Sequence, residues 1–472
     1  MLLVPDTDVL NRLKNVVGPA GVLEAPDDTA PFLVEWRDKY QGATPMVLRP
    51  SSTQEVSELL ALCHTHRIGV VPQGGNTGLV GGQIPDRTGS QLVLSLSRMR
   101  TIRSIDPDND TLTAEAGVTV SEAQTKAAAH DRLFALSLAS EGTAQIGGVL
   151  ATNAGGTNVL RYGNARDQIL GLEVVLPDGR ILNDLTALRK NNTGYDLKHL
   201  FAGSEGTLGV ITAAVWRLFP APQGRATALV AVPNPEAAVR LLAHTKRHAG
   251  EQVSAFELMP RFGVELVLRH HEGTTDPLAQ AYPWYVLLEL TAAVDRPLEA
   301  DLEALLAGAL ESGDALDAAI AQNARQQTEL WRLRENLSEA QKPEGGSIKH
   351  DVSVPISHVP AFLAEADAAV AKAVPGIRPC AFGHLGDGNI HYNLTEPEGA
   401  DTAAFLDRWE AVNEIVHDLV HRFAGSISAE HGLGQMKRDE IRRYKDPVAL
   451  EVMRSLKAAL DPHGIMNPGK VL

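Results

Sequence analysis

The sequence predicts an α+β protein built in two main parts. Three observations carry that reading. Glycine-rich tracts recur at 74–82, 142–156 and 203–212. The composition shifts past Pro220-Ala221-Pro222, as at a domain boundary. Beyond that point, strand-like runs at 227–232, 253–258 and 284–291 alternate with helical patterns at 235–248 and 297–311, without glycine tracts.

The totals set bounds. A chain of 472 residues has room for two or three domains with ample core. A net charge of -15 argues against a nucleic-acid partner and leaves small-molecule chemistry open. The two cysteines, Cys63 and Cys380, make no disulfide framework or zinc ribbon and fit a reducing compartment. The start, Met1-Leu2-Leu3-Val4-Pro5-Asp6, lacks a charged region followed by a long apolar run. No stretch of about 18 apolar residues could span a bilayer. These features predict a cytoplasmic chain without an integral membrane segment.

Residues 1–42 read as a helical lead-in. A strand at 46–50 precedes a helix at about 53–66, with Ser51 or Ser52 as its N-cap. A strand at 69–72 then runs into Gly74-Gly75-Asn76-Thr77-Gly78-Leu79-Val80-Gly81-Gly82. Such glycines let the backbone turn sharply and present N–H groups inward, a concavity suited to a phosphate. A plain glycine-rich loop has the same composition. The spacing is not the dinucleotide fingerprint, and no Gly-Lys-Ser/Thr follows to make a P-loop. A hairpin over 101–116 and a helix near 121–130 lead to the second tract, and a hairpin over 172–182 turns at Pro177-Asp178-Gly179. Three tracts so close together point to backbone approaching a large ligand with a phosphate and a planar part.

In the second half, a helix over 317–341 carries an apolar stripe of Leu330, Leu333 and Leu337. Arg334 and Ser338, four apart, border it on one face. In the strand at 347–355, Lys349, Asp351 and Ser353 share a face. The stretch from Cys380 to Asn393 places two histidines around Asp387-Gly388. A two-residue turn there sets His384 opposite His391, with Asn393 on the same face. Paired imidazoles suit a metal; a surface hairpin with incidental histidines is the bland alternative. After a helix near 402–423 comes Glu430-His431-Gly432-Leu433-Gly434, whose glycines permit a bend that turns both polar residues to one pocket. An ordinary helix-entry loop reads the same way.

Taken in order, these tracts resemble the flavoproteins of the vanillyl-alcohol oxidase / para-cresol methylhydroxylase superfamily. Within it, the chain resembles the D-2-hydroxyacid dehydrogenase branch of D-lactate, glycolate and D-2-hydroxyglutarate dehydrogenases, the last most of all. The resemblance runs from Pro50 to the terminal Asn467-Pro468-Gly469-Lys470-Val471. It implies a lead-in over 1–42, a two-part FAD-binding domain over 43–222, an α+β substrate-binding cap over 223–410, and a helical segment over 411–472 that returns to the flavin. Gly74, Gly75, Asn76, Thr77, Gly78 and Leu79 would hold the pyrophosphate. Gly142, Thr143, Gly147, Gly148, Thr152, Asn153, Gly156, Glu205, Gly209, Val210 and Asn467 would line the rest of the cofactor. Some members tether flavin through a histidine in the first loop. Asn76 stands in that neighbourhood here, so noncovalent FAD is expected.

The resemblance further implies that Arg334, Ser338, Lys349 and Asn393 bind the substrate. His384, His391 and Glu430 would hold a divalent metal, zinc first, with manganese or iron also suited. His431 would be the catalytic base. The implied reaction is oxidation of a D-2-hydroxy acid, D-2-hydroxyglutarate to 2-oxoglutarate, with hydride passing to flavin. A D-lactate dehydrogenase or a glycolate oxidase FAD subunit is the alternative. Electrons would leave to an electron-transfer flavoprotein or a quinone, and a homodimer is compatible with the family. Two other classes compete. A His/Glu metallohydrolase would lack a flavin spectrum, and a non-catalytic FAD module would be indifferent to Glu430→Ala.

Overall fold

The computed structural model describes residues 2–472. It divides into two units. The first comprises the chain up to Gly156, Tyr162–Ala221 and Glu430–Leu472; the second comprises Thr157–Arg161 and Pro222–Ala429.

In the first unit, β1 (Val22–Leu23), β2 (Val47–Leu48), β3 (Val70–Gln73) and β4 (Leu92–Ser95) form a sheet of order β1-β2-β4-β3. Its last three strands are parallel. The helix Thr53–His66 connects β2 to β3 and is capped by Ser52, whose hydroxyl accepts from Glu55 N. Next come β5 (Ile102–Asp106), β6 (Thr111–Glu115), β7 (Arg132–Leu133), β8 (Ile169–Val175), β9 (Ile181–Asp184), β10 (Val210–Arg217) and β11 (Phe219–Pro220). Five of them make an antiparallel sheet, β5-β6-β10-β8-β9, while β7 and β11 pair separately. Trp216 on β10 is fully buried with its ring 4.8 Å from Phe134. The C-terminal tail extends the first sheet: Val70 N donates to Ile465 O, and Asn467 N to Val70 O, both at 2.8 Å.

The second unit is one antiparallel sheet of β12 (Gly224–Val232), β13 (Val253–Pro260), β14 (Trp284–Ala292), β15 (Asp317–Ile320), β16 (Ser347–Ser353), β17 (Arg378–His384) and β18 (Asn389–Thr395). Its order is β15-β12-β14-β13-β17-β18-β16. Alternation sorts the side chains of the last three strands. Tyr392 faces the helix Val359–Ala373, its ring 5.8 Å from Phe362, and His350 meets His417 of the helix Trp409–Arg422 edge-on. Cys380 and Phe382 face the other way, into a core with Leu330, Leu333 and Leu337. Lys349, Asp351, His391 and Asn393 share that second face by their place in the register.

Three local expectations are corrected. Asp317–Ile320 is an edge strand paired with β12, and the helix begins only at Ala324, where Asn323 caps it by accepting from Gln326 N. That helix ends at Glu335, so Ser338 belongs to the next short helix, Leu337–Ala340, and is exposed, whereas Arg334 is buried. The helix near 402–423 is two helices, Thr402–Leu406 and Trp409–Arg422. The hairpin register also differs: His391 lies opposite Phe382, not His384, and Asn393 opposite Cys380. Tertiary pairing decides this, because β17 also pairs with β13, Glu257 opposite His384. The turn widens to suit, with Asp387 N and Gly388 N both donating to His384 O. Among the described residues no helix is long and apolar enough to cross a membrane.

A carboxylate clamp holds the elements around Arg334 and Lys349. Glu344, in the connection to β16, accepts from His270 Nε2 at 2.8 Å, Arg378 Nη1 at 2.7 Å and Arg269 Nη1 at 2.9 Å. The His270 hydrogen bond first, then the two arginines, outweigh partial burial and hold its pKa at about 2. An unfolded glutamate titrates near about 4.3, so this contribution is complete above that pH and is lost as pH falls toward 2. Glu344→Gln is therefore expected to lower the thermal midpoint at pH 7, with the gap to wild type narrowing between about pH 4.3 and 2. A gap constant across that window, measured by thermal unfolding at successive pH values, would contradict the clamp.

Candidate flavin and substrate sites

In the first unit, β3 delivers the first glycine tract. Gln73 anchors it by donating from Nε2 to Phe32 O at 2.9 Å and Gln83 O at 3.0 Å. Asn76 has a positive φ of 54° and spends its side-chain amide on Pro31 O and Val34 O. Its side chain thus fastens the lead-in to the loop. No backbone N–H from Gly74 to Leu79 has a hydrogen-bond partner among the described residues. A run of donors without acceptors fits an anionic, oxygen-rich group such as a pyrophosphate.

The second tract presses against the first. A Cβ on Gly75 would lie 1.8 Å from Thr143 O, so only glycine allows this approach. Gly147 N donates to Ala116 O, and Thr152 Oγ1 to Gly148 O. Asn153 accepts from Arg166 N, and Gly156 N donates to Glu430 Oε1 at 2.6 Å. In the third tract, Glu205 has a φ of 50° and accepts from Leu433 N and Gly434 N, each at 2.8 Å. Burial pushes its pKa up against those two donors and Lys437. Gly209 and Val210 lead into β10, where Val210 pairs with Val175. Asn467 donates to Gly82 O and Glu205 O, tying tail, first tract and third tract together. The three tracts and the tail thus meet, and Glu205 holds the turn that follows Glu430 and His431.

In the second unit, one sheet face gathers polar groups. Glu257 on β13 is 1% exposed. Its Oε1 accepts from His384 Nδ1 at 2.8 Å and its Oε2 from Arg334 Nε at 2.7 Å. Burial alone would push its pKa up; His384 and Arg334 reverse that and hold it at about 2. The His384 and His391 rings lie 5.6 Å apart, diagonal neighbours rather than the expected direct pair. His391 Nδ1 is 3.8 Å from Asp351 Oδ1, and Asp351 also accepts from Asn389 Nδ2 at 2.9 Å. Lys349 pairs with Asn393 in the register. The amide nitrogen of Asn393 is buried with no partner among the described residues, a donor waiting for an acceptor. So Arg334, Lys349, Asn393, His384 and His391 come to one face, while Ser338 is exposed. Glu430 directly follows Ala429, whose N–H donates to Asp351 O.

Sequence reasoning missed Glu257. It is a lone acid in the apolar run Val253–Pro260, and that incongruity was its only signal.

The two-tract contact can be tested by flavin content. Gly75→Ala must displace the Thr143 carbonyl, so the purified variant is expected to lose most of its yellow chromophore. Gly308 lies in a helix of the second unit, outside all three tracts, where a Cβ would stand 3.3 Å from the edge of the His244 ring, so Gly308→Ala should retain it. Equal flavin absorbance in the two variants would remove the close approach from the account.

Comparison with known proteins agrees with this geometry. Residues 44–184 match the FAD binding domain, and residues 221–471 match the C-terminal domain of the FAD linked oxidases. The chain is 39% identical over 471 residues to the probable mitochondrial D-2-hydroxyglutarate dehydrogenase of Oryza sativa subsp. indica, covering 99% of this chain and 82% of the relative. It is 39% identical over 469 residues to the mitochondrial D-2-hydroxyglutarate dehydrogenase of Bos taurus, covering 99% and 84%. The structure of p-cresol methylhydroxylase with substrate bound superposes with a TM-score of 0.77 at 16% identity, covering 99% of this chain and 98% of that one. The fold is accordingly the two-part FAD-binding architecture of that enzyme type, with α+β domains and a helical C-terminal region. The expectation of a cytoplasmic chain is corrected by these relatives, whose names place them in mitochondria. The chain belongs to the FAD linked oxidases, whose C-terminal domain matches more than half of it, and it shares the fold of p-cresol methylhydroxylase.

Proposed function

We propose that this protein oxidises D-2-hydroxyglutarate to 2-oxoglutarate. The observation that carries the reading is the polar sheet face of the second unit, where a buried arginine, a lysine, an amide donor and two histidines collect. The relatives' names point to the same substrate class.

Such an oxidation removes the hydroxyl proton and the Cα hydrogen with its electron pair. FAD, held without a covalent bond by the backbone of the first unit, supplies the acceptor for that pair. A divalent cation held by His384, His391 and Glu430, two imidazoles and a carboxylate, supplies the Lewis acidity that makes an alcohol proton removable near neutral pH. Zinc suits the donor set, and manganese is compatible with it. Arg334 presents two Nη donors without partners among the described residues, the fork that a carboxylate takes bidentately. Lys349 and Asn393 add a charge and an amide donor beside it. Together they neutralise and orient the substrate, which turns binding energy into alignment. His431 takes the hydroxyl proton, a role matched to an imidazole pKa of about 6.5. Reoxidation falls to an electron-transfer flavoprotein or a quinone.

The test is a panel of D- and L-2-hydroxy acids with a dye acceptor, before and after chelation. D-2-hydroxyglutarate should give the highest kcat/KM, chelation should abolish turnover, and Zn²⁺ or Mn²⁺ should restore it. Preference for L-isomers, or full activity in metal-free protein, would overturn the proposal; highest kcat/KM for D-lactate or glycolate would move the substrate to that member of the class.

For the base, His431→Asn should keep flavin and metal while kcat falls about 10²–10⁴-fold, with KM changing less. The acid limb of the wild-type rate profile should vanish in the variant. Loss of metal along with activity would make His431 a ligand instead.

A further inference from the structure

We propose that Glu257 is a positioning residue for both halves of the substrate site, setting the His384 ring for metal ligation and the Arg334 guanidinium for a substrate carboxylate. The proposal rests on the reading of those two residues given above and adds the group that makes them act together.

The geometry separates this role from that of a plain counter-ion. A structural arginine–carboxylate pair is commonly bidentate, using the terminal fork. Here Arg334 meets Glu257 through Nε alone, at 2.7 Å. Its Cζ sits 5.0 Å from the centre of the Phe382 ring. The guanidinium is therefore held by one edge and one face, and both Nη groups are left without partners among the described residues. The other carboxylate oxygen takes His384 Nδ1 at 2.8 Å. That bond fixes the imidazole as the Nδ1–H form and directs its lone pair to Nε2, the atom a metal would use. Register makes the arrangement possible, because β13 and β17 set Glu257 directly opposite His384. One carboxylate thus gives each oxygen to a different functional group. Glutamine has a single acceptor oxygen, so Glu257→Gln must abandon one of them.

The experiment uses metal-stripped flavoprotein and Zn²⁺ titrated against a chromophoric chelator, with KM and kcat for D-2-hydroxyglutarate measured in parallel. Flavin content and the thermal midpoint serve as folding checks. Glu257→Gln is expected to weaken Zn²⁺ binding about 10–100-fold, the usual effect of losing a histidine's outer partner. Its KM should rise in the manner of Arg334→Lys, which loses the fork. Glu257→Asp keeps two acceptor oxygens and should recover part of both effects. Wild-type Zn²⁺ affinity and KM in a folded Glu257→Gln protein, or a fall in kcat alone, overturns the proposal. His384→Ala distinguishes the underlying reading: if that variant binds Zn²⁺ like wild type, His384 is not a ligand, whatever Glu257 does. A measurement on the wild type needs no variant to fold. Ring ¹H–¹⁵N correlations of metal-free protein should show His384 as the Nδ1–H tautomer, and the Nε2–H tautomer refutes the proposal.

Discussion

The carboxylate of Glu257 has almost no access to water, so its charge must be met inside the protein. An unpaired buried carboxylate costs several kcal/mol, and removing one partner of a buried pair typically costs about 3–5 kcal/mol. Arg334 and His384 supply the compensation, and each is brought by a different element. The helix Ala324–Glu335 carries the arginine, packed through Leu330 and Leu333. Strand β17 carries the histidine, pinned by pairing with β13. Because the carboxylate satisfies both, helix and strand cannot shift independently without exposing a charge to an apolar interior. The Phe382 ring beneath the guanidinium closes the third side. What stabilises the sheet face is then the same carboxylate that fixes the orientation of the Arg334 and His384 side chains.

Much of this could be read in the sequence, and what could not has physical reasons. The glycine tracts were legible because close backbone approach excludes every other residue, as at Gly75 against Thr143 O. That Lys349 shares a face with Asp351, and His391 with Asn393, followed from the two-residue period of a strand, whereas the pairing that joins the two faces came only from the fold. The hairpin register did not follow. An Asp-Gly pair argues for a two-residue turn, but β17 has a second neighbour more than a hundred residues earlier in the chain, and no local rule sees it. The helix boundary failed similarly: Asp317–Ile320 becomes strand only because β12 offers an edge. Glu257 was hidden because one acid in an apolar run resembles a solvent-facing position on a half-exposed strand, and only burial reveals otherwise.

Two residues that the sequence placed at the flavin turn their side chains to the polypeptide instead. Asn76 donates to Pro31 O and Val34 O, and Glu205 accepts from Leu433 N and Gly434 N. Both sit at positive φ, where short or polar side chains can satisfy nearby backbone groups. Their contribution is to fix the loops that carry them. This division assigns the two side chains to the polypeptide and leaves the backbone N–H groups from Gly74 to Leu79 without partners among the described residues.

That division also resolves an apparent conflict between a net charge of -15 and anionic ligands. At physiological ionic strength, charges beyond about 8 Å are largely screened. A carboxylate close to Arg334 therefore responds to the groups in contact with it and little to the acidic surface. Glu257 is the exception, since a buried carboxylate at this distance is screened least and would repel a second one. Its charge is already engaged by Nε of Arg334 and Nδ1 of His384, so the nearest negative group is spent before an anion arrives. The remaining positive potential of Arg334 lies along its Nη edge, and the buried Asn393 amide nitrogen has no acceptor among the described residues. On the proposed reading, anion recognition in this acidic protein is a short-range property, set by the donors closest to the bound carboxylate.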